Sequence, residues 1–246
     1  MSGPQHVKFL YEDEYLVVAK KVAKISVHRS EMCRDRRTLL TMVRNKLGGQ
    51  YVYAVHRLDR PVSGPLLFAK SPEMCRELQK QFNEKTVEKK YLALVRGWLE
   101  GEGEVDKQLV KKSNGAIQDC LTRYRGLATA EIDEPLGKFP TVRYGLVELE
   151  PVTGRYHQLR RHMRDLAYPI IGDSTDGDSH QNRFFREKFE LRRLMLHCFY
   201  LSFKHPVSQE LIKTYLEPDK DLLRIYDQLG MYEQFKQLER EYKDEI

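Results

Sequence analysis

The order of strand-like and helix-like segments is the feature that most constrains the fold of this chain. Apolar or alternating runs predict strands, and apolar residues at helical spacing predict helices. The predicted strands are 7–21 (two strands around an acidic turn at 12–14), 51–59, 65–71, 89–99, 143–154 and 194–206. The predicted helices are 36–49, one that begins after Ser71, 155–166 and 231–243. Because strands and helices do not alternate strictly, the sequence predicts an α+β fold with a mixed, largely antiparallel central sheet and flanking helices.

Composition excludes several classes of protein. No run approaches the roughly 18–20 apolar residues of a membrane span, and the first residues lack a secretory pattern, so we expect a cytoplasmic protein with no membrane partner. The four cysteines are far apart and include no C-x-x-C pair, which argues against a zinc site or a disulfide framework. No H-E-x-x-H is present, and the acidic stretch 173–178 has the wrong spacing for a calcium loop.

The charge is unevenly distributed. The chain has 42 Lys and Arg against 36 Asp and Glu, a net of +6. Residues 209–246 hold ten acids and six bases, so the other 208 residues carry +10. The positive charge concentrates in 20–46 and in 155–164, and the second of these segments contains no acid. Clustered positive charge of this kind indicates a polyanionic partner, of which nucleic acid is the usual example.

The stretch HRLDR at 56–60 raises the question of what its carboxylate does. In the predicted strand 51–59, Arg57 and Asp59 would share a face, and we expect Pro61, Gly64 and Pro65 to prevent a regular element immediately afterwards. From these residues alone, Asp59 is either a turn aspartate paired to arginine or an exposed working group at a loop mouth.

Two further segments carry open alternatives. Tyr91 follows two lysines in a predicted strand, so its ring either stacks on a nucleobase or fills the core. Segment 155–164 is a predicted helix that we expect Gly154 to let begin tightly. It crowds four arginines without an acid, which is unfavourable unless an anion compensates. That anion is either a phosphate or a carboxylate from elsewhere in the fold.

Three motifs in order resemble the RluA family of pseudouridine synthases. They are HRLDRPVSG (56–64), KKYLALVRG (89–97) and GRYHQLRRHM (154–163), followed by RLMLH (193–197). The resemblance implies the pseudouridine synthase catalytic fold with a central RNA-binding cleft. It also implies a single catalytic domain over 1–246, with a C-terminal amphipathic helix at 231–246 packed on it and no separate S4 domain.

The resemblance also assigns residues. Asp59 is the expected nucleophile, Tyr91 the ring that stacks on the target base, and Arg160 the partner of Asp59. Arg57 is expected to fill the gap left by a flipped uridine, and Leu196 to pack beneath the active site. The other expected RNA contacts are His56, Arg60, Arg155, His157 and Arg161. The reaction needs neither a metal nor a small-molecule cofactor.

The expected substrate is tRNA. Segments 123–129, 140–162, 168–178 and 181–183 resemble the family members that modify uridine 65 in the TΨC stem. A ribosomal RNA target within the same family, or a non-catalytic RNA-binding chaperone, are the alternatives. The stretch KKVAKISVH at 20–28 departs from the family pattern, which has Asn-Lys-Pro and then Ser or Ala followed by Gly, and we expect a changed loop there. We expect a monomer.

Overall fold

The computed structural model describes residues 7–29, 37–111, 113–244 and 246, and within them the α+β class is confirmed. The helices are α1 Leu39–Lys46, α2 Pro72–Asn83, α3 Gln158–Asp165, α4 Ser179–Lys188, α5 Lys220–Gln228 and α6 Tyr232–Lys243. The strands are β1 Phe9–Glu12, β2 Leu16–Lys21, β3 Tyr53–Ala54, β4 Gly64–Ala69, β5 Glu88–Arg96, β6 Glu102–Asp106, β7 Leu109–Val110, β8 Ile117–Gln118, β9 Leu121–Ile132, β10 Val142–Pro151, β11 Leu196–Lys204 and β12 Leu211–Tyr215. Of these described helices, none has the length and apolar content to cross a membrane.

The chain forms two compact units. The first comprises Met1–Glu88, Cys198–Leu216 and Ile246, and the second comprises Lys89–His197 and Glu217–Glu245. Each unit is therefore built from segments that are distant in the sequence. The expectation of one catalytic domain over 1–246 stays a prediction.

The first unit contains an antiparallel sheet in the order β1-β2-β4-β3. Strand β2 pairs with β4 along its length, from Leu16 opposite Ala69 to Lys21 opposite Gly64. Helix α2 packs on this sheet through Cys75, and strand β11, which pairs with β12, adds to the same core. The buried members of this core are Leu16, Val18, Val55, Leu67, Ala69, Cys75, Leu78, Val87, Leu201 and Phe203.

Local signals placed several element ends correctly. The acidic turn joins β1 to β2 because the Asp13 carboxylate accepts hydrogen bonds from the N–H groups of Tyr15 (2.7 Å) and Leu16 (2.8 Å). Helix α2 begins after Ser71, whose hydroxyl accepts from the N–H of Met74 at 3.2 Å. Helix α1 is followed by Gly48, in the left-handed conformation with φ 68°.

The predicted strand 51–59 is wrong beyond Ala54. Strand β3 contains two residues, and the chain from 55 to 62 is irregular, so strand alternation does not orient Arg57 and Asp59. The expected break holds for residues 60–62, which form a turn, but Gly64 and Pro65 themselves belong to β4. β3 pairs with β4 only at Phe68 and Ala69. Proline at position 65 has no N–H to donate, and this removes no hydrogen bond between β3 and β4.

Gly64 is required by close packing inside the first unit. A Cβ at this position would lie 2.5 Å from the Cβ of Cys198, and its φ is 153°. The backbone of β11 meets the same point, because the N–H of Cys198 donates to the carbonyl of Ser63 at 2.8 Å. The glycine of the first motif therefore permits β11 to pass directly beside β4.

The second unit contains an antiparallel arrangement of β5, β10, β9 and β6, in that order. Strand β10 is central, with Leu149 opposite Tyr91 of β5 and Leu146 opposite Ala128 of β9. Strand β6 pairs with β9, and β7 pairs with β8 in a separate two-stranded hairpin. These three strands β6, β7 and β8, together with β9, lie in the region 100–140, for which the sequence predicted no element.

The predicted C-terminal amphipathic helix is confirmed as α6. Phe235 and Leu238 are buried, and α6 packs against α5 and β9. The hydroxyl of Tyr242 donates to Glu148 Oε1 at 2.8 Å. Arg125 Nη2 joins the same carboxylate at 2.6 Å to Glu241 of α6 at 2.8 Å. Helix α6 is thus attached to the sheet of the second unit through polar bonds around one buried glutamate.

Removing the Tyr242 hydroxyl should weaken this attachment. Tyr242→Phe should lower the free energy of unfolding by about 1–2 kcal/mol, because a hydrogen bond to a partly buried carboxylate is lost. Tyr232→Phe, on the same helix, is the control and should change little, since its ring contact with Phe235 is retained. Urea unfolding of both variants measures the difference, and equal stabilities would show that Tyr242 does not anchor α6.

Candidate active site

Asp59 lies at the start of a tight turn in the first unit. Leu58 is buried, Arg57 and Arg60 are exposed, and Asp59 is half-buried. The N–H of Val62 donates to the carbonyl of Asp59 at 3.0 Å, which closes the turn over Arg60 and Pro61. A turn, not a strand, therefore presents the carboxylate, and its position depends on how this turn is held.

A buried lysine holds the turn from beneath. Lys21 is fully buried, and its ammonium donates to the carbonyl of Val62 at 2.6 Å and to that of Arg60 at 3.1 Å. A third bond reaches the carbonyl of Val22 at 3.3 Å. Because a buried cation is costly unless polar groups compensate it, these carbonyls and the ammonium fix one another. Arg60 and Val62, the first and third residues after Asp59, are consequently tied to the end of β2.

The departure from the family pattern falls on the same turn. Lys24 stands where the family has glycine, and its φ is 68° in the left-handed region. Its N–H donates to the carbonyl of Arg60 at 2.8 Å. A residue with a Cβ is strained in this conformation, so Lys24 adds to the energetic cost of the loop, and the expected change in the loop stays a prediction. Residues 30–36 of the basic segment 20–46 lie outside the described residues.

Replacing Lys24 by glycine should therefore stabilise the protein. Relief of left-handed strain is worth about 1–2 kcal/mol, and the added flexibility of glycine offsets part of it, so we expect Lys24→Gly to raise the unfolding free energy by about 0.5–1 kcal/mol. Lys8→Gly, which changes a lysine outside the left-handed region, should not stabilise. The test is urea unfolding, and a less stable Lys24→Gly protein would contradict the strain argument.

His56 is engaged by the fold of the first unit. Its ring stacks on Phe82 with 4.9 Å between centroids and an interplanar angle of 22°. Its Nε2 accepts a hydrogen bond from the N–H of Leu67 at 3.1 Å, so the proton of the neutral ring resides on Nδ1. These two contacts give His56 a structural role in the first unit. The expected contact of His56 with RNA stays a prediction.

Tyr91 lies in β5 of the second unit and is 8% exposed. The adjacent Lys90 points away from it, and its ammonium pairs with Glu150 at 3.0 Å and with Glu148 at 3.7 Å. The cation next to Tyr91 in the sequence is thus neutralised by acids of β10. The stacking role of Tyr91 stays a prediction, and its burial is consistent with either alternative drawn from the sequence.

Arg160 is held in a buried ion pair inside the second unit. Its Nε and Nη2 donate to the two carboxylate oxygens of Asp173, each at 2.6 Å, and Arg160 is 4% exposed. Burial opposes ionisation of Asp173, but the Arg160 hydrogen bonds, the N–H groups of Asp176 and Thr175 and the charge of Arg160 lower its pKa. One edge of the guanidinium is therefore fixed in orientation by a carboxylate within its own unit.

His157 extends this network. It adopts the left-handed conformation with φ 53° immediately before α3, so His157 and not Gly154 makes the tight start of the helix. Its Nε2 lies 2.8 Å from Arg160 Nη1 and its Nδ1 lies 3.1 Å from Asp176 Oδ2. Since arginine can only donate, Nε2 accepts and Nδ1–H donates to Asp176. Arg164 Nη1 donates to the other oxygen of Asp176 at 2.7 Å.

These contacts answer the question of the missing anion for two arginines. Asp173 compensates Arg160, and Asp176 with Asp165 compensates Arg164. The signal was present in the sequence, because the acid-rich stretch 173–178 follows closely after the acid-free 155–164. Among the residues that the structure describes, no group of three or more His, Cys, Asp or Glu side chains is arranged to hold a metal ion.

The remaining predicted contacts differ in their surroundings. Arg155 is exposed, and Arg161 donates from Nη1 to the carbonyl of Val110 in the β7–β8 hairpin at 3.1 Å. Leu196 is 2% exposed at the start of β11. Gln158, which the sequence did not single out, fixes the loop before α3: its Oε1 accepts from the Thr153 hydroxyl at 2.7 Å and from the Arg155 N–H at 3.0 Å.

The three predicted catalytic residues are divided between the units. Asp59 belongs to the first, whereas Tyr91 and Arg160 belong to the second. Within the first unit, Lys21 holds the backbone of the turn that carries Asp59, and within the second unit Asp173 holds the Arg160 side chain. The predicted pairing of Arg160 with Asp59 stays a prediction.

Comparison with known proteins agrees with the sequence motifs. A family model described as RNA pseudouridylate synthase matches residues 14–165. The chain is 43% identical over 234 residues to tRNA pseudouridine synthase C of Salmonella typhi, covering 91% of this chain and 90% of that protein. It is 44% identical over 234 residues to tRNA pseudouridine synthase C of Pasteurella multocida, covering 90% and 96% respectively.

A solved structure agrees as well. Human RNA Pseudouridylate Synthase Domain Containing 1 has a TM-score of 0.68 and 25% identity, covering 89% of this chain and 86% of that one. Fold and motifs thus define an RNA-modifying isomerase. The chain belongs to the RNA pseudouridylate synthase family, and the predicted membership of its RluA branch is confirmed.

Loss of the Asp173 charge should destabilise the second unit. Asp173→Asn should cost about 3–5 kcal/mol at neutral pH, because it leaves the Arg160 guanidinium buried without its anion. Since the folded-state pKa of Asp173 is lowered, its contribution is present above the ordinary aspartate pKa of about 3.9 and is lost as the pH falls further, through the lower folded value.

The free energy of unfolding of the wild type and of Asp173→Asn is measured between pH 7 and pH 3. The asparagine variant should lack this part of the acid dependence. Asp133→Asn, at an exposed loop position, is the matched control and should behave like the wild type. Wild-type stability of Asp173→Asn at pH 7 would refute the structural role of the pair.

Proposed function

We propose that this protein isomerises a specific uridine of tRNA, uridine 65 in the TΨC stem, to pseudouridine, with Asp59 as the nucleophile. The observation that carries the proposal is 43% identity, over nine tenths of the chain, to a relative named tRNA pseudouridine synthase C. The relatives' name supplies the RNA class, and the sequence resemblance supplies the uridine position. The catalytic assignment comes from the family's motif, which Asp59 occupies here.

The reaction is an internal rearrangement. The N1–C1′ bond of uridine breaks, the base rotates, and a C5–C1′ bond forms, while the C5 proton is lost and N1 gains a proton. Atoms and oxidation states balance without a redox cofactor or an energy source, and we propose none. Asp59 supplies an ionised carboxylate at the sugar, where it either attacks C1′ or stabilises charge there and accepts a C2′ proton.

Tyr91 and Arg160 complete the proposed chemistry. Tyr91 stacks on the target ring and acts on the C5 proton late in the reaction. Arg160 pairs with Asp59, which keeps that carboxylate ionised and oriented. The two hydrogen bonds that Arg160 donates to Asp173 support this role, because they set the orientation of the guanidinium before any substrate binds.

The RNA must present its uridine outside the stem. Flipping costs a few kcal/mol of stacking and pairing, and we propose that the exposed Arg57 occupies the space that the base leaves. Phosphates bind to the basic segments, so affinity should fall steeply with salt. The other proposed contacts are His56, Arg60, Arg155, His157, Arg161 and Leu196. We further propose that the protein acts as a monomer in the cytoplasm.

Asp59→Ala tests the proposal directly. The variant should form no pseudouridine in a tRNA transcript, because the reacting carboxylate is absent, while its affinity for the transcript should stay within a few-fold of the wild type. Asp133→Ala, at an exposed position, should retain full activity. Carbodiimide modification and primer extension measure the product, and filter binding measures affinity.

The outcomes separate the alternatives. Turnover by Asp59→Ala would overturn the assignment of the nucleophile. If the wild-type protein modified ribosomal RNA and left tRNA unchanged, the substrate would be ribosomal RNA and the enzyme would still be a pseudouridine synthase of this family. Binding of RNA by the wild type without product in either RNA would indicate a non-catalytic chaperone.

A further inference from the structure

Tyr156 is an exposed aromatic residue in the most basic segment of the second unit. It is 52% exposed and lies in the loop between β10 and α3, beside the exposed Arg155. Single exposed apolar residues are ordinary, so exposure alone indicates nothing. What distinguishes Tyr156 is the way in which its ring is held.

One face of the Tyr156 ring is covered by the ring of His157. The centroids are 3.8 Å apart and the planes are inclined by 15°, which is a parallel stack. The left-handed backbone at His157 is uncommon for a residue with a Cβ, and such strain persists only where the surroundings enforce it. Here the enforcing contacts can be named.

His157 cannot turn without breaking two bonds. Its Nδ1 is bonded to Asp176 and its Nε2 to Arg160, which is itself held by the buried Asp173. The loop backbone is fixed independently, because the N–H of Arg155 donates to Gln158. Tyr156 therefore rests on a rigid base, so little conformational entropy is lost when a ligand stacks on it.

We propose that Tyr156 is a stacking site for a nucleobase of the bound RNA, next to the base that Arg160 and Tyr91 serve. The inference rests on the proposed function, and it adds a residue that neither the motifs nor the relatives assign. Every base has a π-face, so the site accepts any base and contributes affinity without sequence specificity. The charge of the neighbouring Arg155, which is exposed, favours an anionic ligand of this kind.

Position also supports the proposal. His157 joins Tyr156 to Arg160 through one ring, with 2.8 Å between Nε2 and Nη1. A base stacked on Tyr156 therefore lies within about one side chain of the proposed catalytic guanidinium. The adjacent Arg155 can reach the phosphate of the same nucleotide. Stacking and charge then act together on one nucleotide, and they can be separated by mutation.

Four variants, each measured with a stem–loop RNA of the TΨC-arm sequence, test the proposal. Base–aromatic stacking is worth about 1–3 kcal/mol, so Tyr156→Ala should weaken binding by roughly 5- to 150-fold. Tyr156→Phe keeps the ring and should bind within twofold of the wild type. Tyr156→Leu, apolar but not aromatic, should lie between them. The dissociation constant is measured at several salt concentrations.

Salt dependence separates stacking from charge. Tyr156→Ala should leave the slope of log K against log salt unchanged, because no phosphate contact is lost. Arg155→Ala should reduce the slope by about 1. Tyr156 is exposed, so the alanine variant should fold, and an unchanged melting temperature verifies this. If Tyr156→Ala has a lower melting temperature, the difference in affinity between Tyr156→Leu and Tyr156→Phe shows whether the aromatic ring contributes to binding.

The proposal is overturned if Tyr156→Ala binds like the wild type, or if Tyr156→Phe is as weak as the alanine variant, which would assign the effect to the hydroxyl. Failure of the proposed function looks different. A wild type that binds the stem–loop and forms no pseudouridine, while Tyr156→Ala loses affinity, keeps the stacking site and removes the enzymatic assignment. Full pseudouridine formation with unchanged affinity in Tyr156→Ala removes the stacking site alone.

Discussion

The buried ion pair between Arg160 and Asp173 is the interaction on which most of the second unit's functional surface depends. Burying a single guanidinium would be prohibitive, and the bidentate carboxylate makes it possible. The same aspartate accepts from the N–H groups of Thr175 and Asp176, which places Asp176 where it binds His157. This pair thus supports the strained residue before α3, whereas Gln158 separately fixes the loop that presents Arg155 and Tyr156.

The first unit solves a comparable problem with neutral partners. Lys21 brings a buried ammonium to the carbonyls of Arg60 and Val62, so the turn that presents Asp59 is anchored by a charge beneath it. Lys24 adds a backbone bond to the same carbonyl of Arg60, although it must adopt a left-handed conformation to do so. Asp59 is therefore presented by a turn that a buried cation holds, whereas the Arg160 guanidinium is oriented by a buried carboxylate.

Sequence patterns predicted much of the fold, because much of it is encoded locally. The caps at Asp13 and Ser71, the stripe on α6 and the apolar strand β4 follow from short-range propensity and periodicity. The predicted strand 51–59 is shorter in the structure because β-like residues form a strand only where a partner pairs with them, and the last backbone bond to β4 is that of Val55 to Leu67. Strands β6 and β9 were missed because their pairing joins separated polar segments, and β7 and β8 because strands of two residues give no recognisable pattern.

The sequence predicted which residues form the candidate site, but not the contacts that hold them in place. Motif order selected Asp59, Tyr91 and Arg160, but the partners Lys21 and Asp173 depend on contacts 39 and 13 residues away in the chain. The acid-free segment correctly signalled a missing anion, and only the structure assigned carboxylates to two of its arginines. Tyr156 gave no signal at all, since an aromatic residue beside arginine acquires meaning only from the ring stacked beneath it.

The central claim is that this chain places one pseudouridine in tRNA. Mapping of pseudouridine across total RNA from cells with and without the gene tests it most directly, because every candidate RNA is examined at once. The account predicts that one mark, at position 65 of tRNA, is absent without the gene and returns when the wild-type gene is restored. Identical pseudouridine maps in the two RNA samples would contradict it.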